Sequence, residues 1–103
     1  MNILITARQF TISEETRNYV ENEIQRVLKV FDRVVSVHIT LERIKSYEYM
    51  TQIVLKAPLK TLTLREKDEE LTKSIDLAVD KMIRQIQKYK GQFQTKHEKI
   101  IST

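Results

Sequence analysis

The sequence predicts a two-layer α+β sandwich: a four-stranded sheet with two helices on one face, in the order β-α-β-β-β-α. Three observations lead there. Two long stretches carry apolar residues at helical spacing along a single face. Four short stretches read as strands, and the last three are joined by turns too short for a crossover, so they form an antiparallel meander.

Taken in order, Asn2 to Thr6 is the first strand, with Ile3 and Ile5 on one side and Leu4 and Thr6 on the other. Ser13 is placed to cap the first helix, and Glu14 and Glu15 then complement its dipole. Thr16, Val20, Ile24, Val27, Leu28 and Phe31 form its core face, and Phe31-Asp32-Arg33 ends it. Val35, Val37, Ile39 and Leu41 then recur at period two, which predicts a second strand whose other face, bearing His38, Thr40 and Glu42, looks at solvent or a partner. After a turn over Arg43 to Tyr47, Glu48 to Ala57 resumes the alternation with Tyr49, Thr51, Ile53 and Leu55 on one side. Pro58 lacks the amide a central ladder needs, so Ala57 to Lys60 is the next turn. Thr61 to Glu66 is the fourth strand, with Leu62 and Leu64 facing together.

Asp68 is the expected N-cap of the second helix, with Glu69 and Glu70 in its first turn. Leu71, Ile75, Ala78, Val79, Met82, Ile86 and Tyr89 give its buried face. Gly91, the sole glycine, is expected to close it as a C′ residue. The chain then divides into a domain over 1–91 and a flexible tail over 92–103, which has no clear periodicity.

At 103 residues the chain has room for one domain. No apolar run approaches the ~20 residues of a membrane span, and the N-terminus has no secretory pattern. Cysteine is absent, which excludes disulfides and thiolate sites and fits a cytoplasmic protein. The net charge of +4 is uneven: residues 81–103 hold six lysines and arginines against Glu98 alone, a local +5, whereas residues 1–80 sum to −1. Local potential steers association, so this asymmetry points to a polyanionic partner.

The second helix concentrates that charge. Projected at 100° per residue, Lys73, Lys81, Arg84 and Lys88 gather on one exposed flank, and Asp76 and Asp80 fall on the other, beside Gln87. A helix charged only for solubility tends to interleave the signs, so the one-sided stripe suits an anionic surface, although many charged faces are merely solvated. Leu77 projects among these side chains. On the first helix only Arg26 and Lys29 are available as anion contacts, and each alone also serves as the complement to the negative end of the helix dipole.

Enzyme signatures are missing. There is no glycine-rich phosphate loop, no Gly-x-Ser-x-Gly elbow and no His-Glu-x-x-His pair, and the spacing of His38 and His97 suggests no metal ligation. His38 reads as a surface or pairing residue, and Asp76 with Asp80 is a weak cation pair whose expected partners are water, Arg84 or Lys73. No enzyme activity, cofactor or metal is expected. Tyr89 reads as core. The other aromatics do not interleave with the basic stripe, so Lys81, Arg84 and Lys88 are expected to meet phosphates, with RNA shape as the source of specificity.

The run Ile75-Asp76, Asp80-Lys81-Met82, Arg84-Gln85, Lys88 and Lys90 resembles the second helix of the ribosome hibernation promoting factor and ribosome-associated inhibitor family, also called sigma-54 modulation protein-like. Ile12-Ser13-Glu14 with Arg17 and Tyr19-Val20 is similar to that family's helix start, and Phe31-Asp32-Arg33 to its Phe-Asp-Arg junction. The resemblance runs from Asn2 to about Lys90. It departs at Thr72, where tyrosine is common, at Thr16, where leucine is common, and at Ala57-Pro58, in a turn that often contains glycine. None of these touches the basic stripe.

The resemblance implies a fold similar to double-stranded-RNA-binding domains. It also implies binding to the small ribosomal subunit in the messenger and transfer RNA channel, as a stress and stationary-phase factor that blocks and preserves idle ribosomes. Carried over residue by residue, Lys81, Arg84, Gln85, Lys88 and Lys90 meet ribosomal RNA, with Arg33, Arg26 and Lys29 in support. The chain's length is similar to the family's short forms, which either help a second hibernation factor to pair ribosomes or act as inhibitors whose tail follows the messenger path; the tail from Gln92 to Thr103 fits both, and a monomer off the ribosome is expected. The alternative is a protein-interaction module that modulates a sigma factor, as the older family name suggests.

Overall fold

The computed structural model describes the backbone of residues 2–102 and the side chains of residues 2–91. Its elements are β1 (Asn2–Arg8), α1 (Glu14–Val30), β2 (Ser36–Lys45), β3 (Glu48–Ala57), β4 (Lys60–Asp68) and α2 (Leu71–Ser102). The sheet runs β1-β2-β3-β4. β1 lies parallel to β2, which requires the crossover that α1 supplies, and β2, β3 and β4 form the expected meander. Cross-strand pairing reduces the two hairpin turns to Ser46-Tyr47 and Pro58-Leu59 and carries β2 on to Lys45 and β4 on to Asp68. A register shift between Arg43 and Lys45 absorbs the lost alternation there.

α1 begins as the sequence predicts. The Thr16 amide donates to the Ser13 hydroxyl at 3.1 Å, Glu14 and Glu15 fill the first turn, and the Phe31 amide closes the helix by donating to the Val27 carbonyl at 3.3 Å. α2 begins later than predicted. The β3–β4 ladder holds Asp68 opposite Tyr49, so its carboxylate accepts from the Glu70 amide at 2.9 Å ahead of the helix. The Glu70 carbonyl accepts from the Ser74 amide at 3.0 Å, which makes Glu70 the cap and leaves no acidic residue in the first turn. Gly91 does not close α2 either. The helix passes through it to Ser102, and no glycine has positive φ. One glycine costs a helix only ~1 kcal/mol against alanine, and the surrounding lysines, glutamines and glutamate favour helix. The side chains of the predicted tail, His97 included, lie outside the described residues.

Both helices pack on one sheet face. Ile39, Leu41, Ile53 and Leu55 from the sheet meet Val20, Ile24 and Val27 of α1 and Ile75, Val79, Met82 and Ile86 of α2. Each such side chain contributes roughly 1.5–3 kcal/mol by its burial. One buried polar contact fixes α2 against β3: the Ser74 hydroxyl donates to the Leu71 carbonyl at 2.7 Å, so its oxygen accepts from Thr51 at 2.8 Å. No buried side-chain donor or acceptor among the described residues is left unpaired.

The opposite sheet face is less open than its pattern predicts. Thr40 is buried and His38 and Glu42 are half-buried, because Thr6 and Gln52 flank Thr40 across the two ladders. Thr6 also shares a hydrogen bond with His38 Nε2 at 2.9 Å, consistent with the pairing role read for that histidine. Val35 is 53% exposed because β2 starts one residue later, and it serves the sheet through its backbone instead.

Candidate nucleic-acid interface

α2 lies across the sheet with its two charged flanks turned in different directions. The acidic flank faces α1: the Tyr19 hydroxyl donates to Asp76, and Arg26 Nη2 donates to Asp80 at 3.0 Å. These are inter-helix contacts, not the pairing with Lys73 or Arg84 expected from helical spacing. The Asp76 bond, aided by burial and the carboxylate's charge, pushes the Tyr19 hydroxyl well above the usual tyrosine range. Hydrogen bonds from Asp80 and then Glu23 likewise raise the Arg26 guanidinium.

The basic flank faces away from α1. Lys81 reaches down to Glu66 at the end of the core-facing row of β4 and forms an ion pair with it, while its side chain stays 51% exposed. Arg84, Gln85 and Lys88 are exposed, and among the described residues Arg84 and Lys88 have no ion-pair partner. Leu77 is half-buried. The segregation arises because α1 supplies a tyrosine and an arginine to the carboxylates, leaving the other flank net positive.

The remaining candidate residues divide into two places. Arg26 bonds Glu23 and Asp80, so its guanidinium is already engaged. Lys29 is exposed in the last turn of α1. Arg33 and Lys90 both line a cleft of about 240 Å³ beside the C-terminal end of α1. Lys90 Nζ donates to the Val30 carbonyl at 2.7 Å and so caps the end of α1. Phe31, Tyr89, Pro58 and Leu59 form the apolar part of the cleft. Tyr89 packs against the core and meets Phe31 edge-on, with centroids 5.9 Å apart and planes at 88°. Lys60 Nζ stands 5.8 Å from the Tyr89 centroid.

The sequence gives no hint of this cleft as a unit. Its parts come from the end of α1, the β3–β4 turn and α2, and only Phe31-Asp32-Arg33 draws attention by local pattern. No cluster of three or more histidine, aspartate or glutamate side chains that could hold a metal ion occurs among the described residues. No described helix is long and apolar enough to cross a membrane.

The profile of the sigma 54 modulation protein / S30EA ribosomal protein family matches residues 3–94, which take in the sandwich and the whole basic flank. The chain belongs to this family. A ribosome hibernation promotion factor of Staphylococcus aureus (strain COL) is 35% identical over 89 residues, covering 84% of this chain and 46% of the relative. The chain thus spans about half the length of that curated relative. A ribosomal subunit interface protein from Coxiella burnetii superposes with a TM-score of 0.82 at 25% identity, over 88% of this chain and 99% of that one. The N-terminal domain of Thermus thermophilus Protein Y shares the fold, with a TM-score of 0.77 at 24% identity over 86% and 99% of the two chains. Family membership and the β-α-β-β-β-α architecture thus agree with the motif in α2 and with the order of elements read from the sequence.

Proposed function

We propose that the chain binds the small ribosomal subunit in the channel that messenger and transfer RNA occupy, stopping translation and preserving idle ribosomes without catalysis. The observation that carries this reading is the exposed flank of Arg84, Gln85 and Lys88, continued by Lys81, on a helix whose Asp76 and Asp80 are engaged by α1. Arg84 and Lys88, without an ion-pair partner among the described residues, meet phosphate with no carboxylate to displace, and such contacts position a protein on folded RNA. The names of the staphylococcal and Coxiella relatives support a ribosomal partner, and a ribosomal partner goes with a cytoplasmic location in this reading. Residues 1–91 form the binding unit in this reading, with Arg33 and Lys29 as supporting cations and residues 92–103 as an appendage.

Co-sedimentation with purified small subunits tests it. The triple variant Lys81→Glu, Arg84→Glu, Lys88→Glu is expected to keep the fold and lose pelleting. Pelleting of the wild type should fall steeply with salt, because each neutralised phosphate releases counterions. Undiminished pelleting of the triple variant at moderate salt overturns the reading. A cellular complex that survives ribonuclease moves it to a protein partner such as a sigma factor.

A further inference from the structure

We infer that the cleft lined by Arg33 and Lys90 receives one unstacked base of single-stranded RNA, with the neighbouring phosphates on the surrounding cations. This rests on the ribosome-binding reading and specifies what part of the RNA this corner of the molecule takes.

The surface has the composition such a ligand needs. Tyr89, Phe31, Pro58 and Leu59 supply aromatic and apolar contact, while Arg33 and Lys90 line the same cleft. Leu59 is 83% exposed at the tip of the β3–β4 turn, so it has no part in the core that would explain a leucine there. The Tyr89 ring meets Phe31 edge-on at 88° and has the Lys60 ammonium over its face at 5.8 Å, so a base stacking there takes the place of that ammonium, which then meets the neighbouring phosphate. Aromatic rings and guanidinium planes are the platforms on which single-strand binders stack bases. Lys90 spends one of its three donors on Val30 and keeps two.

Size and position narrow the ligand. At about 240 Å³ the cleft falls below the ~300–1,000 Å³ of sites for drug-sized ligands, so it suits one ring system. Tyr89 follows Lys88 directly, about 100° further round the helix toward the sheet, so the cleft adjoins the Lys88 end of the basic flank. A strand whose phosphates follow Arg84 and Lys88 therefore arrives at it. Asp32, also in the lining, repels phosphate but accepts from exocyclic amino groups, as acidic side chains do from cytosine. The cleft thus favours an amino-bearing base over uracil. Bases held in a duplex present no free face and are excluded.

Titration of the ¹⁵N-labelled chain with hexacytidylate, hexauridylate and a blunt RNA duplex tests this. Amides of Arg33, Leu59, Lys60 and Tyr89 are expected to shift with hexacytidylate, less with hexauridylate and not with the duplex. Leu59→Ser, on an exposed turn that tolerates it, should weaken hexacytidylate binding about tenfold and leave duplex binding within twofold. Tyr89→Leu serves as a second variant that keeps an apolar side chain against Phe31 and removes the stacking plane, with a similar loss expected. If the cleft amides stay still with both single strands while the wild type pellets with small subunits and the triple basic-flank variant does not, the cleft inference fails and the ribosome reading stands. Failure of that pelleting difference overturns the ribosome reading itself. Shifts caused by RNA-free ribosomal proteins and by neither oligonucleotide would assign the cleft to a protein and overturn the inference. Equal affinity for the two oligonucleotides overturns the role given to Asp32.

Discussion

Lys81 on α2 is ion-paired with Glu66 on β4, so the first cation of the basic flank is tied to the sheet beneath it. Any phosphate that recruits Lys81 competes with that carboxylate. Glu66→Gln is therefore expected to strengthen RNA binding severalfold and to make its salt dependence steeper by about one phosphate contact. Surface pairs contribute ~0–1 kcal/mol, so thermal unfolding should change little. Anisotropy titrations over a salt series provide the check, and an unchanged slope with unchanged affinity would show that Lys81 makes no contact with the RNA.

The hydroxyl of Tyr19 donates to Asp76 across the two helices, and the bond raises its pKa. The sign follows from linkage. Folded Tyr19 holds its proton more tightly than unfolded tyrosine, so the stabilisation is full below the unfolded pKa of about 10 and is lost as pH rises through the folded value. Tyr19→Phe is expected to cost about 1 kcal/mol at neutral pH and to flatten the alkaline limb of the stability curve. Urea midpoints from pH 7 to 11 decide it.

Lys90 donates to the Val30 carbonyl at the end of α1. Lys90→Met is expected to lower stability by about 1 kcal/mol, through loss of a charge-assisted bond at a helix C-terminus. Chemical unfolding measures this, with Lys90→Arg as the partial rescue. An unaltered midpoint for the methionine variant would leave Lys90 with an RNA role only.

α2 runs through Gly91, and a Cβ built there meets nothing within 4 Å. Gly91→Ala is thus expected to raise stability or helicity by the equivalent of about 0.5–1 kcal/mol. Had the helix closed on a left-handed Gly91, the same change would destabilise it. Circular dichroism during thermal unfolding separates the two outcomes.

Arg26 is held by Glu23 and Asp80, whereas Arg84 has no ion-pair partner among the described residues. Arg26→Ala should leave small-subunit pelleting within twofold, and Arg84→Ala should weaken it about tenfold or more. Side-by-side sedimentation distinguishes them, and equal losses would mean that Arg26 also reaches RNA.

The elements that follow from local pattern were legible in the chain. Ser13 and the alternation from Val37 to Leu41 report themselves because a cap and a half-buried strand depend on neighbours a few residues away. The partners of Asp76 and Asp80 did not, since Tyr19 and Arg26 lie 57 and 54 residues distant and helical spacing suggests only Lys73 and Arg84. The start of α2 differs from the local pattern for a related reason: Asp68 is an excellent cap by type, but its pairing with Tyr49 keeps it in the sheet. The motif in α2 identified the family, whereas the cleft beside Lys90 is assembled from three separate stretches and leaves no mark in any one of them.

β1 is an edge strand, joined to the sheet only by parallel pairing with β2, and its Ile3 and Ile5 are only half-buried. Closing that pairing requires the whole of α1 to be spanned first, whereas the meander forms from neighbouring turns. The N-terminal strand is accordingly expected to dock last during folding and to exchange its amide protons soonest, so the hairpins and α2 hold together as a cooperative unit before the edge is sealed.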